Sequence, residues 1–453
     1  MVLCYLKGTC LILTACMGAG IGLGITSSTS FLWLALFTHP GRYYFIAELG
    51  LAILLGLVAF YRFRSSKNIS RMDPAPYCDS DIETIGWLRN IFIVLMLFFV
   101  VSFVLKAYFE RPHGAHDAWA IWNYRARWLF RGGVQWTDAF SYLIAADSPD
   151  YPLLVTGSIF RMWSILGNDP VAVPVMVAGI LACGSIFLIF SALAILRGKN
   201  QGYLAAMLMF ITTQFLNVAT YQYGDAPLAF FILGTVVLFS LKDQYPQMSS
   251  RLLFLAGLTV SCAAWTKNEG LLFLVLIILV RFIGEIRQKD WSVSLKEFFI
   301  FSMGMSFILG TLIYFKLNFA LANDLVNQNN LKKLGTYLFD LDRYLQVLIG
   351  IVKKIFIFND HIVWLLIVYF LISGVDRSTF VNKRIASYAT LMLLMLGGYF
   401  FSFFISPHNI EWHQGSSMRR LIVQLWPTWV FLFFYCVKGP ERKLTEEHGK
   451  VSI

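Results

Sequence analysis

Three aspartates stand where apolar runs give way to polar connectors: Asp117, Asp150 and Asp225. A carboxylate in such a place can take a proton from a hydroxyl or ligate a metal. At a helix start it can equally cap the helix. Cations accompany them. Lys267 lies in WTKNEG with Glu269, between two apolar runs separated by barely a turn. Arg419 and Arg420 lie in SSMRRLIVQLWP at the start of the last apolar run. The planar fork of arginine binds an oxyanion through two hydrogen bonds, which suits a phosphate. The plainer readings are a surface ion pair for Lys267 and Glu269, and snorkelling anchors for the two arginines. Aromatic rings crowd the same region: Trp119, Trp122, Tyr124, Trp128, Trp136, Tyr142 and Tyr151. They suit the aromatic belt at headgroup level, or flat surfaces on which a sugar stacks. His113 and His116 lie just before these rings, and His408 and His413 just before Arg419. A metal would need two of them with a carboxylate at ligand distance.

The elements that must position these groups cross a bilayer. The chain has 453 residues, 58% hydrophobic and 14% charged, against about 25% charged in ordinary soluble domains. About twelve apolar runs approach the ~20 residues that a spanning helix needs; 91–109 and 385–405 are clear examples. Lipid offers the backbone no hydrogen-bond partner, so the runs must be helices. The short alternating segments of a membrane barrel are missing. The reading is an all-α, polytopic transmembrane bundle. The uncharged run after Lys7, reaching Phe37, is too long for a cleaved signal and reads as a retained first helix. The net charge of +11 sits mostly between the runs, where it sets topology, so no nucleic-acid partner is expected. Seven cysteines form no C-x-x-C pair, and most lie within apolar runs as small hydrophobes.

Orientation follows from the connector at 62–89, short and carrying Arg62, Arg64, Lys67, Arg71 and Arg89. The positive-inside rule makes it cytoplasmic. Alternation then puts 197–199, 242–251, 281–296 and 377–384 inside with the basic tail, and 110–168, 220–226, 266–270, 320–360 and 406–420 outside. Arg125, Arg127, Arg131, Lys332, Lys333, Lys353, Lys354, Arg419 and Arg420 thus lie outside against the rule, and an anionic ligand is one reason to keep them there. Three regions are delimited: 1–90, with N-terminal helices and a basic loop; 91–319, a core with outer loop 110–168; and 320–453, an outer loop and C-terminal helices. The only candidate linker surrounds Asp73-Pro74-Ala75-Pro76.

Within the long outer loop, 118–130 lacks Gly and Pro and reads as an amphipathic juxtamembrane helix, with Trp119, Trp122, Ala126 and Leu129 near one face. Gly132-Gly133 ends it. A second short helix starts after Pro152.

An Asp directly after an early span, followed by amphipathic helices, resembles the membrane-embedded GT-C glycosyltransferases. These include protein O-mannosyltransferases and the bacterial aminoarabinose transferases of lipid A. The strings HDAWAIWNYRARWLF, SPDYPLL, YGDAPLAFF, AAWTKNEGLLF and RRLIVQLWP resemble bacterial membrane proteins of this group, over about 106–426. The resemblance implies a polyprenyl-phosphate-linked sugar donor and inverting transfer to a glycan, lipid or protein on the extracytoplasmic face of a bacterial inner membrane. It implies Asp117 as general base, Asp225 as a second acidic site residue, and Lys267 as a contact to the lipid phosphate. Arg419 and Arg420 are further phosphate candidates. Asp150, Glu269, Trp119, Trp122 and Tyr151 are candidates for supporting the donor or acceptor. Asp150 stands where relatives place a charged residue before proline, near donor or metal, but here the string is Asp-Tyr-Pro. A divalent metal is left as an open option, and no other cofactor is implied.

The rival reading is a transporter or flippase of a lipid-linked or anionic substrate. Transporters place ionisable groups and broken helices near the midplane. Here charge gathers at span ends, with Glu48 the main exception. A non-enzymatic scaffold would need no cluster of acids and cations on one side.

Overall fold

A computed structural model describes residues 9–38, 41–65, 86–141, 148–286, 291–322, 337, 339–357, 362–376 and 383–439. The linker around 73–76, Tyr142, Lys332, Lys333, Cys4, Cys78, Lys7 and the tail from 440 lie outside the described residues.

Helices run in the order α1 (Thr9–Phe37), α2 (Arg42–Ser65), α3 (Gly86–Val104), α4 (Asn123–Arg131), α5 (Leu154–Leu166), α6 (Ala172–Leu196), α7 (Lys199–Ile211) and α8 (Thr213–Thr220). They continue as α9 (Asp225–Gln244), α10 (Ser249–Thr266), α11 (Asn268–Ile286), α12 (Trp291–Asn318), α13 (Leu341–Phe356), α14 (Ile362–Ser373), α15 (Lys383–Phe404) and α16 (Ile410–Cys436). Among the described residues the only β pairing is an isolated bridge between Val375 and Val437. Among the described residues, seven helices are long and apolar enough to cross a membrane, or eight if the bent pair α7 and α8 counts as one span. This bears out a polytopic helical protein but not the twelve spans expected. Some apolar helices are shorter than a span, namely Tyr43–Val58, Leu154–Leu166 and Ile362–Ser373.

α9 is the axis. Every residue from Asp225 to Lys242 is buried. α6, α10 and α16 pack around it, and α12 packs on α10. α9 is apolar all round, as a helix at the centre of a bundle must be. Its starting sequence Asp-Ala-Pro suits a helix beginning. Asp225 meets the positive end of the helix dipole, and Pro227 sits in the first turn, where no N–H is needed. Its mid-span hydroxyls are satisfied within the helix: Thr235 donates to Phe231 O at 2.8 Å and Ser240 to Val236 O at 2.8 Å. α1, from the N-terminal region, packs against α5 and α6 and so joins the same core.

Ionic groups divide into two layers at opposite ends of α9. At one end Lys242 pairs with Glu297 (2.7 Å), Arg197 with Asp376 (2.9 Å) and Arg384 with Asp243 (3.3 Å). All of these belong to connectors that the charge rule puts inside, or flank them. The other end gathers the candidate site. Between Asp225 and Lys242 the helix rises ~26 Å, close to the ~30 Å of a bilayer core. Glu48, the apparent mid-membrane exception, pairs with Arg161 of α5 at 2.8 Å.

Candidate active site at one end of the bundle

The loop after α3 turns at Gly114, φ +77°. A Cβ there would strike the carbonyl of Tyr221, and the left-handed backbone suits glycine. The turn lets Ala115 N–H reach Tyr221 O at 3.1 Å, which pins the loop to the residues before α9. Two wide π-helical turns flank this turn, Leu105–Glu110 and Ala118–Trp122. Such turns recur at functional sites. Asp117 lies immediately before the second one.

The π turn changes the expected face. Trp122, Ala126 and Leu129 are buried, but Trp119 is 52% exposed. A π turn holds more residues than an α turn, so Trp119 rotates off the stripe that an unbroken α-helical period predicts. The helix itself ends at Arg131 as expected, and α5 begins at Leu154, just after Pro152.

Lys267 occupies a single extended position between α10 and α11. Gly270 permits this hairpin, because a Cβ there would collide with the carbonyl of Ala263. The side chain of Lys267 is 1% exposed. Its ammonium donates to Asp225 Oδ1 at 2.9 Å and lies 3.0 Å from Glu269 Oε1. Burial works against its charge, but Asp225 and Glu269 outweigh burial and hold it above the ordinary lysine range.

α16 closes the network. Arg420 and Gln424, four apart, share one helix face. Arg420 Nη1 lies 2.7 Å from Asp117 Oδ2, and its Nε lies 3.3 Å from Asp225 Oδ2. Gln424 Nε2 donates to Asp225 Oδ1 at 2.6 Å, while Tyr399 OH donates to Gln424 Oε1 at 2.6 Å. The Arg420 guanidinium also sits 4.7 Å from the Tyr223 ring centroid. Tyr223 OH accepts from the backbone N–H of Asp117 at 3.3 Å. Asp117, Asp225, Lys267, Glu269 and Arg420, expected from sequence, therefore meet in one ion-pair network. Arg419 does not join it, being exposed on the next side of the helix.

A second cluster adjoins the first. Asn268 Nδ2 donates to Asp150 Oδ2 at 2.7 Å. Lys316, in the last turn of α12, lies 3.3 Å from the same oxygen and donates to Asn268 Oδ1 at 2.9 Å. It also donates to the backbone carbonyl of Asp150. Arg125 is buried beside Asp150 and donates to Ser148 O at 2.6 Å. The dipeptides Asp150-Tyr151 and Lys267-Asn268 thus pair across the boundary. Asp150 meets Asn268, and the Tyr151 ring lies 5.4 Å from the Lys267 ammonium. Tyr151 stacks on Trp122 at 5.5 Å. Burial, with Glu269 nearby, pushes the Tyr151 phenol up to about 12, so it remains a hydrogen-bond donor at neutral pH.

Reading the sequence missed Lys316, Asn268, Gln424, Tyr399 and Tyr223. Gln424 had a signal, because i+4 from Arg420 lies on the same face. Lys316 had none, since α12 is remote in sequence from the loops it touches.

Each carboxylate of the network already faces a lysine or arginine. No group of three metal-ligating side chains occurs among the described residues. Cys16, Cys183, Cys262 and Cys436 are thiols outside any disulfide.

The bent pair α7 and α8 turns by 62° at Thr212. The break is sealed: Thr212 is buried, Trp426 Nε1 donates to its hydroxyl at 3.2 Å, and that hydroxyl donates to Leu208 O at 2.8 Å. A transporter's broken helix lines a cavity, whereas here a tryptophan fills the bend.

The family model described as dolichyl-phosphate-mannose-protein mannosyltransferase matches residues 168–326. The match runs from α6 to α12, taking in Asp225, Lys267, Asn268, Glu269 and Lys316 and leaving out Asp117, Asp150 and Arg420. It supports a membrane glycosyltransferase of the GT-C superfamily. No curated protein and no solved structure matches the chain.

Proposed function

We propose that the chain is an inverting glycosyltransferase that moves a sugar from a polyprenyl-phosphate donor to a hydroxyl of a glycan, lipid or protein. The work is done on the extracytoplasmic face of a bacterial cytoplasmic membrane. The observation that carries this reading is the convergence of Asp117, Asp225, Lys267, Glu269 and Arg420 at one end of the bundle. They come from four remote segments, and a bundle needs no such network for stability alone.

Asp117 is the base. It retains 20% side-chain exposure, while Asp225 is 1% exposed and accepts hydrogen bonds from three side chains. A carboxylate so engaged is a poor proton acceptor, so Asp225 organises the site. In the reaction the acceptor oxygen attacks the anomeric carbon and its proton passes to Asp117. The bond from that carbon to the phosphate oxygen breaks, and its electron pair stays on the phosphate. The donor phosphodiester becomes a monoester with one more negative charge, which fixed cations stabilise. Attack opposite the leaving group inverts the anomeric centre. The partly exposed Tyr151 ring, backed by buried Trp122, supplies an aromatic face beside the reacting groups.

The direct test is turnover. Purified protein, given a polyprenyl-phosphate sugar and membrane-derived acceptor, is expected to release polyprenyl phosphate and form a product of opposite anomeric configuration. A retained configuration would overturn the direct displacement. Sidedness is tested separately, in a chain whose own cysteines are replaced. An impermeant thiol reagent added to intact cells is expected to label Thr137→Cys and not Ser250→Cys. Both positions are exposed, at opposite ends of the bundle. The reverse pattern would place the site on the cytoplasmic face.

A further inference from the structure

The two adjoining clusters differ in charge. The first holds three carboxylates, Asp117, Asp225 and Glu269, against two cations, Lys267 and Arg420. The second holds two cations, Arg125 and Lys316, against the single carboxylate of Asp150. An anionic group entering between them is drawn to the second and repelled by the first. Exposure points the same way. Lys267 is 1% exposed and committed to two carboxylates, whereas Lys316 keeps 27% of its side-chain surface. Lys316 also sits in the last turn of a candidate span ending at Asn318, and the end of a span meets the headgroup region, where lipid phosphates lie.

We propose that Lys316, positioned by Asp150 and Asn268, is the cation that contacts the phosphate of the lipid-linked donor, and that Lys267 supports the site by neutralising Asp225. The inference rests on the glycosyltransferase reading and adds a residue to it. The Asp150 carbonyl and Asn268 Oδ1 hold the Lys316 ammonium in place, while its contact to the Asp150 carboxylate is 3.3 Å, longer than the 2.7–2.9 Å usual for a charge-assisted hydrogen bond. An arriving phosphate offers a shorter one. Asn268 follows Lys267 directly in the chain, so the phosphate subsite and the Asp225 network share one rigid hairpin.

The test is equilibrium binding in detergent micelles, with polyprenyl phosphate and the uncharged polyprenol as probes and inorganic phosphate as competitor. The wild-type protein is expected to prefer polyprenyl phosphate. Lys316→Met is expected to lower that preference about tenfold, the loss of one charge-assisted hydrogen bond, with polyprenol binding unchanged. Lys316→Arg is expected to restore most of it. Removing one partner can unfold the site, so Asp150→Asn/Lys316→Met, which removes both charges of that pair while Arg125 keeps its bond to Ser148 O, is measured alongside. A full phosphate preference in either Met variant that folds overturns the role of Lys316. No preference in the wild type overturns the donor reading itself. Displacement by inorganic phosphate alone, at equal concentration, would show a free-phosphate site and overturn the lipid assignment.

Discussion

Replacing Asp117 with asparagine is expected to lower transfer by about 10²–10⁴-fold, the usual worth of a positioned general base, with yield and thermal stability close to the wild type. The substitution conserves size, and an amide oxygen still accepts from Arg420, whose Nη1 lies 2.7 Å from the native carboxylate. The Asp117 backbone N–H keeps its bond to Tyr223. What disappears is the negative charge and the ability to take a proton. Loss should therefore fall on kcat, with donor KM little changed, since transfer of the proton belongs to the transition state. A glutamate is expected to recover only part of the rate, because its longer chain displaces the carboxylate from Arg420. An Asn variant with wild-type turnover would remove Asp117 from the chemistry. The proton acceptor would then have to be sought elsewhere in the network, and Asp225 is the poorest choice because three side chains already donate to it.

The members of the ion-pair network were largely legible because charge is rare in this chain and its cost in an apolar setting leaves few places to put it. Asp117, Asp225, Lys267, Glu269 and Arg420 each stood at the end of an apolar run, and each has a partner in the network. What sequence could not say was who pairs with whom. Lys267 looked accessible in a tight hairpin, yet the close approach at Gly270 draws the hairpin into the core and buries it. Arg419 and Arg420 looked equivalent, and one residue of helical rotation puts Arg420 in the network and Arg419 on the surface. Trp119 shared an α-helical stripe with Trp122 only so long as no π turn intervened. Span counting went less well for a related reason. Apolar composition marks burial in protein as readily as burial in lipid, and short helices such as α5 and α14 satisfy it without the length to cross.

The second large effect concerns that buried pair. Lys267 and Asp225 are each 1% exposed and 2.9 Å apart. The resemblance to polyprenyl-phosphate enzymes makes Lys267 a contact for the donor, and its removal should then raise donor KM in an otherwise sound protein. The structure leads to a different expectation. Lys267→Ala leaves Asp225 short of its nearest cation at the head of the central helix, and it leaves Glu269 facing the same gap. Breaking a buried pair from one side costs about 3–5 kcal/mol, a large fraction of the stability of most domains. Lys267→Ala is therefore expected to lower the unfolding temperature in detergent sharply and reduce the yield of monodisperse protein. Asp225→Asn/Lys267→Met, which removes both charges and keeps the volume, is expected to recover part of the stability, since Glu269 still lacks its partner at 3.0 Å. It is not expected to recover turnover, because Arg420 loses the Asp225 contact at 3.3 Å that sets its reach to Asp117. The decisive comparison is stability against donor KM in the single variant. A stable Lys267→Ala protein whose only defect is a raised KM would place Lys267 on the donor phosphate, and would return to it the role that exposure and charge assign to Lys316.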